Sequence, residues 1–198
     1  MKKTKTFLIC LIGIMSALST VIYLIFPEIP LVPGVDYLKI DFSDIPAVIT
    51  AVICGPFAGI CVEIIKNVIH LARTTTYGIG ELMNIGIGSA MIGVFFVGLK
   101  VFSKKLKNHY FSPAVYYLSA VFAVIATIVA GWVLNAVLTP IFFAISGIPI
   151  TTASIIAGVT GSTLLNAVKA AVNLLLFYPV YFAIYKAIPF KNGIDNKK

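Results

Sequence analysis

Ionisable and amide side chains recur at helical spacing inside stretches that are otherwise apolar. Glu63, Lys66, Asn67 and His70 stand three and four positions apart, which on a helix puts them on one stripe. Such a stripe is either a self-satisfying Glu–Lys pair that lets a polar face pack inside a bundle, or a ligand or coupling site. Intrahelical pairing already compensates the burial and favours the first. Asn166, Lys169 and Asn173 share a face by the same periodicity, and no acidic residue lies on that apolar segment to neutralise the lysine. An ammonium beside amides offers two kinds of donor and one acceptor, which suits a planar heterocycle edged with carbonyls and ring nitrogens. Asn135, on the preceding segment, adds another amide. The alternative is that Lys169 pairs with Glu81 or Glu63 as structural glue. Glu81 and Asn84 follow Tyr77-Gly78-Ile79-Gly80. There, a glutamate opening a helix is either favoured by the macrodipole or part of a site, with glycines that permit close backbone approach.

Other chemistries lack their residues. The sequence holds no Walker A pattern, no H-E-x-x-H and no Cys/His cluster of zinc-site spacing, and His70 and His109 are its only histidines. No acid–base or metal constellation appears beyond the Glu63/His70 stripe, so a membrane-embedded enzyme is the weakest reading and neither a metal nor a cofactor is expected. Without a nucleotide site of its own, such a chain runs on an ion gradient or borrows ATP hydrolysis from other subunits.

The elements that must position these residues are membrane helices. The 198 residues are 60% hydrophobic and 11% charged, with a mean hydropathy of +1.03, whereas soluble domains carry about 25% charged residues. Apolar runs of ~20 residues recur, long enough to span a bilayer core of ~30 Å. We expect one transmembrane domain over 1–198, an all-α fold of six transmembrane helices at about 5–26, 45–55, 56–72, 80–102, 113–145 and 154–188. The basic start and apolar run at the N-terminus read as a retained helix, because the run is too long for a signal peptide and lacks a convincing cleavage site. Cys10, Cys54 and Cys61 fall inside apolar runs, against a disulfide framework.

Charge sets the orientation. Lysines cluster at Lys2, Lys3 and Lys5, at Lys100, Lys104, Lys105 and Lys107, and at Lys186, Lys191, Lys197 and Lys198. If Gly55-Pro56 breaks the run from Ile45 to Leu71 into two helices, all three clusters fall on one side of the membrane, as the positive-inside rule requires. Both termini are then cytoplasmic, and the net charge of +8 reflects orientation in a cell membrane rather than nucleic-acid binding. Four of the seven acidic residues lie in the first outward loop. Gly13-x-x-x-Ala17 and Ser16-x-x-x-Thr20 on helix 1 permit close contact with a neighbouring helix, within the chain or in a partner.

Taken together, several segments resemble one family. Leu38-Lys-Ile-Asp-Phe-Ser-Asp-Ile-Pro46, Gly55-Pro-Phe-Ala-Gly59, Glu63-x-x-Lys66-Asn67 through His70, Gly78-Ile-Gly-Glu-Leu-Met-Asn84 and Asn166-x-x-Lys169 are similar to the substrate-binding S components of energy-coupling factor (ECF) vitamin transporters, specifically the riboflavin-binding ones. The resemblance implies the S-component fold, with the vitamin held near the outer face by helices 4 to 6 and the first loop. It implies that Asn135, Asn166 and Lys169 bond a flavin ring system, with Glu81, Asn84, Leu38, Asp41 and Asp44 completing the ligand set and Tyr37–Asp44 acting as a lid. It further implies riboflavin as transported ligand, docking of a transmembrane coupling subunit on helix 1 at Gly13, Ala17, Ser16 and Thr20, and energy from two ATPase subunits. An S component for another vitamin is the nearest alternative. A stand-alone ion-coupled transporter would need two matching broken helices, and only one break is evident.

Overall fold

The computed structural model describes residues 4–25, 29–30, 39–107 and 110–187. Its helices are α1 (Lys5–Ile25), α2 (Ile45–Cys54), α3 (Pro56–His70), α4 (Ile79–Lys105), α5 (Pro113–Ser146) and α6 (Thr152–Ala187). A single 3-10 turn, Leu71–Arg73, extends α3. The all-α reading holds apart from two short strands in the first loop, β1 (Ile29–Pro30) and β2 (Lys39–Ile40), paired antiparallel with Ile29 opposite Ile40. Four helices, α1, α4, α5 and Thr152–Ile184 of α6, are long and apolar enough to cross a membrane. At ~1.5 Å per residue, the ten residues of α2 reach only about 15 Å.

Local chemistry explains the boundaries. Gly55 ends α2 with φ +102° and precedes α3, a backbone region that glycine enters without steric cost. Pro56 then sits at the start of α3, where its missing N–H is not needed. Pro113 opens α5 in the same way, and Gly147 closes it in the left-handed conformation. Helix α4 runs on to Lys105, past the expected end at 102, with Lys104 and Lys105 in its last turn, where cations suit the helix dipole.

Helix α4 packs against both α3 and α5, α5 against α6, and α1 against α2 and α3, while α2 also touches α4 and α6. The polarity is inverted relative to a soluble bundle. Glu63, Lys66, Asn67, Asn135, Lys169 and Asn173 are buried, whereas Ile14, Val21, Val129, Trp132, Leu164 and Leu175 lie on the outside. Outward apolar surface on this scale marks a surface made for contact with lipid or protein.

The apolar core gathers where α4, the first half of α5 and the second half of α6 meet. Tyr116 packs on Tyr181, Tyr178 and Phe95 at centroid distances of 4.8, 4.9 and 5.3 Å. Its hydroxyl donates to the Leu174 carbonyl, and that of Tyr181 to the Tyr110 carbonyl at 2.8 Å. Buried hydroxyls need such partners. This aromatic block fills the end of the bundle that carries Lys5, Lys100, Lys104, Lys105 and Lys186, leaving the polar groups to the other end.

Candidate functional site

At that other end, the start of α4, the last third of α5 and the first half of α6 diverge around a cavity of about 220 Å³. Asn135 comes from α5, and Ser162, Asn166 and Lys169 from α6. Helix α4 contributes Gly80, Glu81, Met83 and Asn84, and α1 contributes Tyr23. Asp41 enters from the first loop, while His70, Arg73, Thr75 and Thr76 come from the α3–α4 connection. All but one of the expected ligand residues with described positions therefore lie on this wall. The exception is Asp44, which lines a water-sized space beneath it with Asn166 and Lys169. Leu38 and Tyr37 lie outside the described residues.

The first loop is anchored by its own sequence. Asp41 Oδ1 accepts the Ser43 backbone N–H at 2.9 Å and the Ser43 hydroxyl, the Asx-type turn that aspartate favours two residues upstream. The Ser19 hydroxyl of α1 donates to the Ser43 carbonyl. Asp44 occupies the residue before α2 but makes no side-chain cap. Its carboxylate is spent elsewhere.

Asp44 Oδ1 meets Lys66 Nζ at 2.5 Å, and Asp44 Oδ2 meets Lys169 Nζ at 3.3 Å. Lys169 Nζ also pairs with Asp41 Oδ2 at 2.8 Å. Lys169 is therefore not unpaired, nor does it pair with Glu81 or Glu63. Its partners are non-local, from a loop that periodicity along α6 does not register. Asn173 Nδ2 donates to the Asp41 carbonyl at 3.2 Å and Asp44 Oδ2 at 3.3 Å. Burial pushes the Asp41 carboxyl up, but Lys169 first and Lys66 second outweigh it and hold the group well below the usual carboxylate range.

The Glu63–Lys66 pair on α3 forms as the spacing predicts, with Nζ–Oε1 at 2.8 Å. Asn67 Nδ2 joins at 2.8 Å to Glu63 Oε1. Gly88 of α4 makes room for this carboxylate, since a Cβ there would stand 2.9 Å from Glu63 Oε1. His70 leaves the stripe. It stacks on Tyr23 at 3.8 Å between centroids and meets Glu81 Oε1 at 2.8 Å through Nδ1. Glu81 Oε2 accepts the Thr74 hydroxyl at 2.9 Å and the Thr76 hydroxyl at 3.3 Å. Glu81 thus fastens the α3–α4 connection, and Asn84 fastens α4 to α1 by donating to the Tyr23 hydroxyl at 3.0 Å.

Two amides face the cavity with capacity left. Asn135 Nδ2 donates to the Gly131 carbonyl at 2.7 Å and Asn166 Nδ2 to the Ser162 carbonyl at 2.8 Å. Each of these bonds uses one hydrogen of an amide that also has a second N–H and a carbonyl acceptor. Sequence reasoning missed Tyr23 and Thr74–Thr76. Tyr23 continues the Ser16, Ser19, Thr20 face at helical spacing, and the Thr74-Thr75-Thr76 run before Gly78 has turn chemistry. That face also revises helix 1. Ser16 and Thr20 are buried within this chain and present no docking surface to a partner, whereas Gly13 and Ala17 face outward.

The chain matches the family described as ECF transporter, substrate-specific component, over residues 8–181. It is 40% identical to the riboflavin transporter FmnP of Bacillus subtilis over 87 residues, 41% of this chain and 43% of that protein. It is 30% identical to the riboflavin transporter RibU of Lactococcus lactis subsp. cremoris over 132 residues, 67% of this chain and 62% of that protein. The chain thus spans less than two thirds of the length of these curated relatives. Among solved structures, it superposes on the S component of a bacterial ECF transporter with a TM-score of 0.69 at 22% identity, covering 92% of this chain and 98% of that one. The fold is the S-component fold.

Proposed function

The chain belongs to the substrate-specific components of ECF transporters, a transporter family and not an enzyme family, and from that premise we propose that it captures riboflavin for an ATP-driven importer. The observation that carries the ligand is the cavity wall: two buried or half-buried amides, Asn135 and Asn166, flank Lys169 on converging helices. Such donors and acceptors match the carbonyls and ring nitrogens along one edge of a flavin. The similarity to transporters named for riboflavin supports the same ligand.

In this reading all six helices belong to one transmembrane domain of the cell membrane, and both termini are cytoplasmic. Lys5, Lys100, Lys104, Lys105 and Lys186 at the closed end support that orientation, which turns the cavity outward. Asp41 and Asp44 hold the first loop over the ligand. A transmembrane coupling subunit docks on the outer face of α1 around Gly13 and Ala17, and two ATPase subunits supply the energy.

The test is direct. Protein purified in detergent from cells grown with riboflavin should carry flavin absorption and quench flavin fluorescence on titration. A folded protein with neither property would end the riboflavin assignment.

A further inference from the structure

The buried network that joins the first loop to α3 and α6 is one positive charge short. It holds three carboxylates, Asp41, Asp44 and Glu63, and two ammonium groups, Lys66 and Lys169, all of them buried. Among the described residues packed around α3, no other group supplies the missing charge. His70 meets Glu81 of α4, and Arg73 beyond it is exposed. From α1 the Tyr23 ring lies 5.5 Å from Lys66 Nζ, α2 carries no charged residue, and α4 sets Gly88 against Glu63. Hydrogens are short as well. Asn67 and Asn173, only 0% and 1% exposed, bond Glu63 and Asp44 through their Nδ2 atoms, yet the Oδ1 of each is buried without a donor.

The carboxylates do not share the deficit equally. Asp44 receives both ammonium groups and the Asn173 amide. Asp41 receives Lys169, the Ser43 N–H and the Ser43 hydroxyl. Glu63 receives the Asn67 amide and Lys66, which it shares with Asp44. Lys66 Nζ stands 2.8 Å from Glu63 Oε1 and 2.9 Å from Oε2, and Asn67 Nδ2 is also 2.8 Å from Oε1. Oε1 alone can therefore serve both donors, which leaves Oε2 to carry a proton. The shorter contact of Lys66 is with Asp44, at 2.5 Å.

We propose that Glu63 is a proton-binding site, and that its proton releases Lys66 to Asp44 and so tightens the first loop. A buried charge without full compensation is unfavourable, and a carboxylate relieves it by taking up a proton. With Glu63 neutral, two carboxylates face two ammonium groups. With Glu63 ionised, Lys66 is divided between it and Asp44, the residue through which the first loop enters α2. The device needs no ligand and stands apart from the flavin reading.

The experiment compares the full-length wild type with Glu63→Gln, a permanently neutral isostere, in detergent between pH 8 and 5. The folded protein holds a proton that the unfolded chain, whose glutamate titrates at about 4.3, does not. Wild-type stability should therefore rise as pH falls through this range. Glu63→Gln should melt above wild type at pH 8, and the gap should close toward pH 5. His70 is present in both proteins and cancels in the difference. Amide exchange at Ser43 should be slower in Glu63→Gln than in wild type at pH 8 and alike in the two at pH 5. Infrared spectra of the wild type should show a carboxylic-acid C=O band growing over the same range, a readout that stands even if the variant does not fold. A Glu63→Gln midpoint below wild type by the same margin at every pH, or a wild type without that band, would mean an ionised Glu63 and overturn the proposal. Melting and infrared as expected, with Ser43 exchange alike at pH 8, would overturn the tightening of the loop.

Discussion

Asp41 and Lys169 meet at 2.8 Å, and this contact ties the first loop to α6 at the edge of the cavity. Asp44 extends the tie to α3, because its two oxygens reach different lysines, Lys169 and Lys66. The groups proposed to read the ligand and the loop proposed to cover it are thus parts of one buried network.

Lys169→Ala should weaken flavin binding by about 10- to 100-fold, the scale of a hydrogen bond to a charged group. Truncation also strands Asp41 and Asp44, so Lys169→Met combined with Asp41→Asn separates lost recognition from lost folding. Titration of flavin fluorescence checks both. Wild-type affinity in a folded Lys169→Ala protein would overturn the site.

Lys66 is fully buried between Asp44 and Glu63 and does not line the cavity. Lys66→Met should therefore act first on stability, by about 3–5 kcal/mol, the cost of removing one partner from a buried ion pair. Adding Glu63→Gln should recover part of the loss. Thermal unfolding in detergent measures it, and an unchanged midpoint for Lys66→Met would mean the network contributes little.

Acid should loosen the first loop. The Asp41 carboxyl titrates below its ordinary value of 3.8 in the folded protein, so the unfolded chain binds the proton more readily. Its contribution to stability is whole above that ordinary value and is lost as pH falls below it. Between pH 8 and 5 this group should give the unfolding midpoint no pH dependence, its contribution being constant there. Below about pH 4 the wild type should lose stability more steeply than Asp41→Asn. Parallel acid limbs for the two proteins would rule out this role.

Ala17→Trp tests the docking face. Ala17 is exposed on α1, and a bulky ring there would hold a partner helix away. Flavin binding by the isolated protein should be unchanged, while uptake by cells expressing the coupling and ATPase subunits should fall sharply. Unimpaired uptake would place the partner elsewhere.

Much of the fold was legible because its signals are local. The apolar runs, Gly55-Pro56, Pro113 and Gly147 mark where helices stop and start. The same holds for the Glu63–Lys66 pair, since a spacing of three on one helix brings two side chains together whatever surrounds them. Asn135, Asn166 and Lys169 could be named from their cost in an apolar setting and from the family resemblance.

What only the tertiary structure decided is which residues of different segments meet. Helical periodicity says that Lys169 faces inward. It does not say that a loop far away in the chain brings Asp41 to 2.8 Å from it, or that Asp44 forgoes its helix cap to bridge two lysines. Nor does a small-xxx-small pattern reveal that Ser16 and Thr20 turn inward while Gly13 and Ala17 turn out. The sequence by itself determined the helices and the inventory of groups that must be paired or used. The pairing was settled by packing, because a charge buried away from water takes whichever opposite charge the fold brings within reach.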